Sequence, residues 1–441
     1  MRNSIIFLLK KKVFLPLFFT QFFGAFNDNA FKLAMLTLIS YHVSDSIAQS
    51  EQYQAIAGAL FIAPFFLFSA TAGQLADKYD KSTLAVWLKL FELILMIIGG
   101  FSLYLQSVFL MMGTLTGMGL HSTFFGPIKY AILPDHLPRQ ELLGATSLIE
   151  GSTFMAILLG TTLGALSIGS SNSHTGYAIL LTNVAAMAGL VASLFIPKAP
   201  PKAVDLEINW NIFHATMKVI RGAVANRQVM PAVFTISWFW LVGAIMLTKL
   251  PDYTHYILRA DTSVFAFFLA LFSIGIALGA FIIGYLLAGK ITLRYVPITM
   301  FLLSLFAVDL YRASPGSLVE KPLQSLVLFL SEANNWRITL DFFFFSFCAG
   351  LFVVPLYTYI QVVSEEGKRA RTIAMNNIFN ALFMVIGTGF VLFLLYLRVT
   401  IPMVFFILAI LNTIVALGVW VVLYKLNGFD VNCTETQKNE L

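Results

Sequence analysis

The residues best suited to chemistry interrupt one of the apolar stretches of the sequence. In the run QFFGAFNDNAFKLAML (residues 21–36), Asn27, Asp28 and Asn29 follow aromatic residues, and Lys32 comes one helical turn after Asp28. On a helix, Asp28 and Lys32 share a face, which predicts an ion pair between them. A carboxylate and an ammonium flanked by amides can also bind a charged ligand. Two roles for Asp28 therefore stay open: contact with such a ligand, or neutralisation of Lys32 alone.

Further charged and amide groups lie in apolar stretches downstream. Glu150 has no opposite charge at helical spacing, so its carboxyl must hold a proton or find a cationic partner on another helix. Lys89 and Glu92 are three residues apart and closer to the end of their stretch, so two roles stay open: they could snorkel to the membrane interface or contact a ligand. Ionisable groups inside membrane segments are costly and are therefore candidate functional groups. The predicted ligand-binding residues are Asp28, Asn29, Lys32, Lys89, Lys129, Glu150, Asn377 and Asn380.

Composition predicts the elements that position these residues. The chain is 59% hydrophobic and 11% charged, whereas soluble domains carry about 25% charged residues. Apolar stretches recur that are long enough to cross a hydrocarbon layer of about 30 Å as helices. The sequence predicts an all-α membrane protein with twelve transmembrane helices and no nucleic-acid partner. The predicted spans are 13–40, 53–76, 83–106, 108–131, 142–169, 176–197, 229–256, 262–289, 295–312, 338–363, 371–397 and 401–425.

The basic residues divide unequally between the alternating loops. With a cytoplasmic N-terminus, 20 of the 28 Lys and Arg residues fall on the cytoplasmic side, five on the outer side and three within spans. Because cytoplasmic loops are enriched in Lys and Arg, this distribution predicts an even number of spans with both termini in the cytoplasm.

The longest predicted cytoplasmic loop divides the chain into halves. The predicted organisation is an N-terminal six-helix bundle (1–197), a cytoplasmic linker (198–228), a C-terminal six-helix bundle (229–425) and a cytoplasmic tail (426–441). In the linker, apolar residues at helical spacing predict an amphipathic helix, which either lies on the inner membrane surface or forms a solvated connection. These residues are Trp210, Phe213, Met217, Ile220 and Val224.

Weak internal repeats relate the two halves. Pro127 in the fourth span matches Pro355 in the tenth at an offset of 228 residues. Ala59-Leu60-Phe61 in the second span matches Ala270-Leu271-Phe272 in the eighth at an offset of 211. Each span thus pairs with the span six later, which predicts two six-helix halves with a pseudo-twofold axis along the membrane normal.

A charged motif follows the second span. The segment GQLADKYDKS (73–82) resembles the Gly-x-x-x-Asp-x-x-Gly-Arg-Lys/Arg loop motif of the major facilitator superfamily. Gly73 and Asp77 match, Asp80 replaces the second glycine, and Lys81 takes the first basic position. Gly73 permits close helix approach, and Asp77 can cap a helix end and pair with basic residues. The predicted cytoplasmic gate motif is therefore Gly73, Asp77, Asp80 and Lys81.

Longer segments resemble one branch of that superfamily. The stretches TQFFGAFNDNAFK, FFGPIKYAILPDHL and GLFVVPLYTYIQ are similar to the lysophospholipid transporter family, and more so to the transporter module that some bacteria fuse to a phospholipid acyltransferase. The resemblance implies a major facilitator fold and no enzymatic activity, metal or cofactor. It also implies alternating-access movement of lysophosphatidylethanolamine and lysophosphatidylglycerol across the bacterial inner membrane to the cytoplasmic leaflet, where an acyltransferase restores the second acyl chain.

The sequence departs from the fused form and leaves a second function open. None of the six histidines has an Asp five positions on, so the His-x-x-x-x-Asp acyltransferase signature is absent and a separate acyltransferase partner is expected. The alternative function is a proton-coupled major facilitator exporter of drugs, siderophores or metabolites, with Asp28 or Glu150 as proton carrier. Such exporters often have a Gly-Pro element in span five, whereas GTTLGALSIG (160–169) has glycines and no proline.

Overall fold

The polypeptide folds into helices joined by short connections. The structure, a computed structural model, describes residues 5–168, 174–224, 226–315 and 322–425. Within these ranges no named strand is present, and an isolated bridge joins Ala260 to Gln324. The predicted tail, 426–441, lies outside the described residues.

The chain forms two compact units, of which unit 1 comprises Met1–Asn226 together with Ser364–Leu382. Its first helix, α1, packs against the sixth and seventh, and its second packs against the fourth. The helices of unit 1 are α1 (Leu15–Leu38), α2 (Ile47–Lys78), α3 (Lys81–Tyr104), α4 (Val108–Ala131), α5 (Leu133–His136), α6 (Arg139–Leu166), α7 (Gly176–Ser193) and α8 (Ile212–Val224).

Unit 2 comprises Arg227–Val363 together with Phe383–Leu441. In this unit α13 packs against α10 and α11, and α11 also packs against α15. Its helices are α9 (Met230–Asp252), α10 (Thr262–Leu287), α11 (Tyr295–Ala313), α12 (Leu326–Ser331), α13 (Ala333–Val363) and α15 (Ile401–Lys425), and α14 (Arg369–Tyr396) belongs to unit 1 as far as Leu382.

The helices confirm an all-helical membrane fold. Among the described residues, eleven helices are long and apolar enough to cross a membrane. The other long helix is α1, with 24 residues. The helix is continuous, but its apolar sequence is interrupted by the polar run Asn27–Asn29 and by Lys32. Each backbone N–H and C=O in hydrocarbon must be paired, and a helix achieves this within one segment. Twelve spans, the domain boundaries and the orientation of the termini stay predictions.

Local sequence explains where the helices of unit 1 begin and how closely they pack. Pro16 lies in the first turn of α1, where its missing N–H has no helical partner to lose. Asp80 caps α3, because its side chain accepts a hydrogen bond from Thr83 N at 2.9 Å. Gly160 and Gly164 of α6 lie directly against the backbone of α1, so an added Cβ would collide with it. These glycines therefore have a packing role.

Candidate functional site

Helix α4 brings polar side chains against acidic side chains of three other helices. The hydroxyl groups of Ser122 and Tyr130 donate hydrogen bonds to carboxylates. The imidazole of His121 lies 3.3 Å from a carboxylate oxygen, without hydrogen-bond geometry. The acids lie on α1, α3 and α6 and are all buried. The three pairs are Ser122–Asp28, His121–Glu92 and Tyr130–Glu150.

Asp28 turns towards α4 rather than towards Lys32. Its Oδ2 accepts the hydrogen bond from Ser122, while its buried Oδ1 has no hydrogen-bond partner among the described residues. Lys32 Nζ donates to Asn29 Oδ1 at 3.2 Å and lies 5.5 Å from the centre of the Phe61 ring. The predicted Asp28–Lys32 ion pair is therefore wrong, because each side chain contacts a different partner.

Lys89 and Glu92 form an ion pair inside unit 1. The Lys89 Nζ and Glu92 Oε2 atoms are 2.6 Å apart, and both side chains are fully buried. Asn27 Nδ2 donates to Glu92 Oε1 at 2.8 Å, and Lys89 Nζ lies 5.0 Å from the centre of the Phe125 ring. Of the two roles left open for Lys89 and Glu92, snorkelling to the interface is excluded by their burial. Gly24 provides the space, since a Cβ there would lie 2.5 Å from Lys89 Nζ.

Glu150 has a phenol and a cation of α4 as neighbours. The hydroxyl of Tyr130 donates to its Oε1, and the neighbouring Lys129 is half-buried with Nζ 4.7 Å from the centre of the Tyr130 ring. Lys129 of α4 is the cation on another helix that Glu150 was expected to find, and Tyr130 is an additional neutral donor that was not expected. Tyr130 directly follows Lys129 in the GPIKY segment, but an uncharged hydroxyl gave no signal that it would contact Glu150.

Gln21 fixes α1 against α6. Its Nε2 donates to Ser152 Oγ at 2.6 Å and to Ile149 O at 3.1 Å. Its Oε1 accepts a hydrogen bond from Thr153 Oγ1 at 3.1 Å. Sequence reasoning missed this group because a single Gln among apolar residues has no distinctive spacing. The bonds set the register of α1, which carries Asp28, against α6, which carries Glu150.

The asparagines of α14 lie within unit 1. Asn377 is next to α4, since a Cβ on Gly126 would be 2.8 Å from Asn377 Nδ2. Asn380 and its neighbour Asn376 are buried. All eight predicted ligand-binding residues therefore belong to unit 1, on α1, α3, α4, α6 and the first part of α14.

Asp77 of the gate motif binds the start of α14. Its carboxylate accepts hydrogen bonds from Ala370 N at 3.0 Å, from Arg371 N at 3.3 Å and from Arg371 Nε at 2.9 Å. A carboxylate is favourable at a helix N-terminus because the first N–H groups are unpaired there. Gly73 allows the approach, since an added Cβ would be 2.7 Å from Ala374 Cβ.

The rest of the gate motif lies around Asp135, which the sequence did not single out. Lys81 Nζ is 2.9 Å from Asp135 Oδ2, and Arg369 lies 3.7 Å from Asp135 Oδ1. Burial raises the pKa of Asp80, but hydrogen bonds from Ser82, Thr83 and the backbone N–H of Ala199 outweigh it, so this pKa lies below its usual value. Asp80 thus serves as an anionic cap between two spans.

The fold and the motif agree with the family comparison. A profile described as Major Facilitator Superfamily matches residues 17–319. The chain belongs to the Major Facilitator Superfamily. It is therefore a transporter rather than an enzyme. Among the residues that the structure describes, no cluster of three or more His, Cys, Asp or Glu side chains could hold a metal ion.

Two relatives of this chain are lysophospholipid transporters. The lysophospholipid transporter LplT of Photorhabdus laumondii is 26% identical over 395 residues, which cover 87% of this chain and 88% of that protein. The lysophospholipid transporter LplT of Serratia proteamaculans is 27% identical over 266 residues, covering 59% of this chain and 62% of that protein. The resemblance of this chain to the lysophospholipid transporter family is therefore confirmed.

Solved structures share the fold at low sequence identity. The human organic anion transporter MFSD10 has a TM-score of 0.70 at 14% identity, covering 92% of this chain and 99% of that one. The Escherichia coli fucose:proton symporter FucP also has a TM-score of 0.70, at 11% identity, covering 95% of this chain and 99% of that one. Both likenesses establish the fold alone.

Proposed function

We propose that this protein moves lysophospholipids, chiefly lysophosphatidylethanolamine and lysophosphatidylglycerol, across the bacterial inner membrane to the cytoplasmic leaflet. The observation that supports this most strongly is the carboxylate of Asp28, which is buried on α1 with Oδ2 held by Ser122 and Oδ1 unpartnered among the described residues. A buried polar atom without a partner is costly, so a ligand that donates to Oδ1 gains from contact with it. The similarity to the lysophospholipid transporters named above favours a lysophospholipid as that ligand.

The headgroup chemistry matches the groups near Asp28. The ammonium of a lysophosphatidylethanolamine, or a glycerol hydroxyl of a lysophosphatidylglycerol, can donate to Asp28 Oδ1. The lipid phosphate needs cationic donors, and Lys32 and Lys129 are half-buried and make no ion pair within the described part of the chain. Lys89 is excluded from this role in the structure as described, because Glu92 already neutralises it.

The gate motif fits alternating access. Asp77 and Asp135 hold the first turn of α14 through Arg371 and Arg369, and breaking these bonds would release α14 from the ends of α2 and α5. A lipid delivered to the cytoplasmic leaflet would then be reacylated by an acyltransferase. Both steps are part of the proposal.

The test is uptake of labelled lysophosphatidylethanolamine by spheroplasts that express the Asp28→Ala variant. A hydrogen bond to a charged group contributes about 1.5–3 kcal/mol, so uptake should fall about ten- to hundredfold. The matched control is Asp252→Ala, which removes a partly exposed carboxylate from unit 2 and should leave uptake unchanged.

Unchanged uptake by folded Asp28→Ala protein would refute the assignment of Asp28. If the wild-type protein moves no lysophospholipid but exports dyes in response to a pH gradient, the transporter is an exporter and the proposed substrate is wrong.

A further inference from the structure

Helix α8 presents three different faces around its axis. Its residues turn by about 100° each, so the side chains of Ile212–Arg221 cover the whole circumference. Ala215, Val219 and Ile220 pack against Ala70 of α2 and Ile378 of α14. The remaining two faces are solvent-exposed, and they differ in chemistry.

One exposed face of α8 is apolar. Phe213 is 77% exposed and Met217 is 47% exposed, and they are four residues apart on the same side of the helix. Trp210, just before the helix, is 70% exposed. The predicted apolar stripe is therefore split in two: Ile220 packs on the bundle, whereas these three side chains point away from it. The Val224 side chain lies outside the described part.

The other exposed face is basic. Lys218 and Arg221 are both exposed, and at helical spacing Arg221 follows Met217 on the side away from the bundle. A solvated linker helix gains nothing from exposing Phe, Met and Trp side chains, whereas a helix at a membrane surface buries them and places its cations among the lipid phosphates. At 13 residues, α8 is too short to span the bilayer.

The segment before α8 ties this helix to the gate motif. Asn209 N donates to Gln74 Oε1 of α2 at 2.9 Å, and the Asn209 side chain contacts the His214 ring of α8. Nearer the start of the segment, Ala203 N donates to Asp77 O at 3.1 Å. Ala199 N donates to Asp80 Oδ2, also at 3.1 Å. Residues 199–214 thus connect the position of α8 to the end of α2 that carries the gate.

We propose that α8 is a docking helix for the anionic phospholipid surface on the gate side of the membrane. Phe213, Met217 and Trp210 insert among the acyl chains near the headgroups, and Lys218 and Arg221 bind lipid phosphates. The charge of the occupant follows from these two exposed cations, because each Lys or Arg near an anionic membrane surface strengthens binding. The bonds from the preceding segment to Gln74, Asp77 and Asp80 transmit the position of the helix to the gate.

Nitroxide labels on the full-length protein in nanodiscs test this proposal without a transport assay. In a Cys348→Ser, Cys433→Ser background, one label is attached at Met217→Cys and a reference label at Gly222→Cys, where an added Cβ meets no neighbour within 4 Å. Power saturation with oxygen and a nickel chelate distinguishes acyl-chain from aqueous surroundings. We expect the label at 217 to be lipid-inserted in discs containing phosphatidylglycerol and the label at 222 to remain in water.

Charge variants supply the decisive comparison. The double variant Lys218→Gln, Arg221→Gln removes both cations, and each cation should strengthen binding about fivefold. In phosphatidylglycerol discs, the ratio of lipid-inserted to water-exposed label at 217 should therefore fall about 25-fold. In phosphatidylcholine discs, the ratio should change little. The control, Lys290→Gln with Lys425→Gln, removes the same charge from exposed positions of unit 2 and should have no effect.

Two outcomes overturn the proposal. Equal water exposure of the label at 217 in every lipid mixture would mean that α8 is a solvated connection. Shielding of that label from both oxygen and nickel would mean that a protein surface, such as a second copy of the chain, covers the helix instead of lipid.

Discussion

The interiors of the two units differ in the chemistry of their buried side chains. In unit 1, Lys89 is among the largest fully buried side chains, and it is paired with Glu92. In unit 2, the charged pairs Asp309–Arg337 and Lys249–Asp252 are partly exposed. The largest fully buried side chains of unit 2 are all aromatic: Tyr253, Phe268, Phe329, Phe342, Phe345, Phe352 and Phe405.

Unit 2 does bury polar groups, but its central one is neutral and satisfied. Asn412 accepts a hydrogen bond from Trp238 Nε1 at 2.8 Å and donates to Met300 O and Ser304 Oγ at 2.7 and 2.8 Å. The amide thereby joins α9, α11 and α15.

In unit 1, Asp28 keeps an unpartnered oxygen, as does the buried Asp341 of unit 2, which lies beside Asp309 and Arg337. Asp28 lies close to the ammonium groups of Lys32 and Lys129, which a headgroup site requires, whereas the satisfied amide of Asn412 stabilises the fold. We therefore expect unit 1 to determine ligand binding and the core of unit 2 to determine rigidity.

The largest expected effect comes from breaking the buried ion pair of unit 1. Glu92→Ala leaves the ammonium of Lys89 uncompensated in a dry site and should reduce the free energy of unfolding by about 3–5 kcal/mol. Thermal unfolding in detergent, followed by circular dichroism, measures the loss.

A double variant separates the charge effect from the loss of packing. Lys89→Met with Glu92→Leu removes both charges and keeps most of the volume, so it should be clearly more stable than Glu92→Ala. A double variant as unstable as the single one would contradict the account of this pair.

A smaller effect is expected from replacing the buried amide of unit 2, Asn412. Asn412→Leu preserves the volume but leaves Trp238 Nε1 and Ser304 Oγ without this partner, at a cost of about 1–3 kcal/mol. Because Asn412 is satisfied within the protein, the substrate concentration for half-maximal uptake should stay at the wild-type value. A large rise in that concentration would place unit 2 in the ligand site and remove the contrast between the units.

The smallest expected effect concerns the anionic cap Asp80. Its pKa is lowered in the folded protein, so its stabilising contribution is present above the ordinary Asp pKa of about 3.9 and disappears as the pH falls through the lower, folded-state pKa. Asp80→Asn should therefore lower the melting temperature slightly at neutral pH, and the difference from wild type should shrink as the pH is lowered from 7 to about 3, below the ordinary Asp pKa. A difference that stays constant down to that pH would mean that the charge of Asp80 has no role.

Periodicity and composition were sufficient to predict the helices. Helix α4 begins and ends at the predicted limits, and Pro127 and Pro355 both lie inside helices, as the repeat requires. The family resemblance followed from segments such as NDN and GPIKY, whose polar residues are unusual in apolar surroundings. Side-chain partners were less predictable, because they depend on how helices are rotated against one another.

The errors in the candidate site have one physical origin. Spacing within a helix suggested an ion pair of Asp28 with Lys32, but Asp28 accepts a hydrogen bond from Ser122 on α4 instead. For Glu150, spacing left the partner open between a proton and a cation on another helix; Lys129 of α4 is that cation, and the additional donor Tyr130 was not foreseen. Serine and tyrosine hydroxyls carry no charge pattern that a sequence scan would detect, and their roles depend on the packing of α4 within unit 1.

The central claim is that this protein carries lysophospholipids by way of the acidic site in unit 1, and reconstitution tests it most directly. Purified protein in liposomes should move labelled lysophosphatidylethanolamine between leaflets, as measured by extraction of the outer leaflet with albumin. We predict that wild-type and Asn412→Leu proteins move the lipid, and that Asp28→Ala lowers the rate about tenfold or more. Movement by folded wild-type protein no faster than in protein-free liposomes would contradict the account.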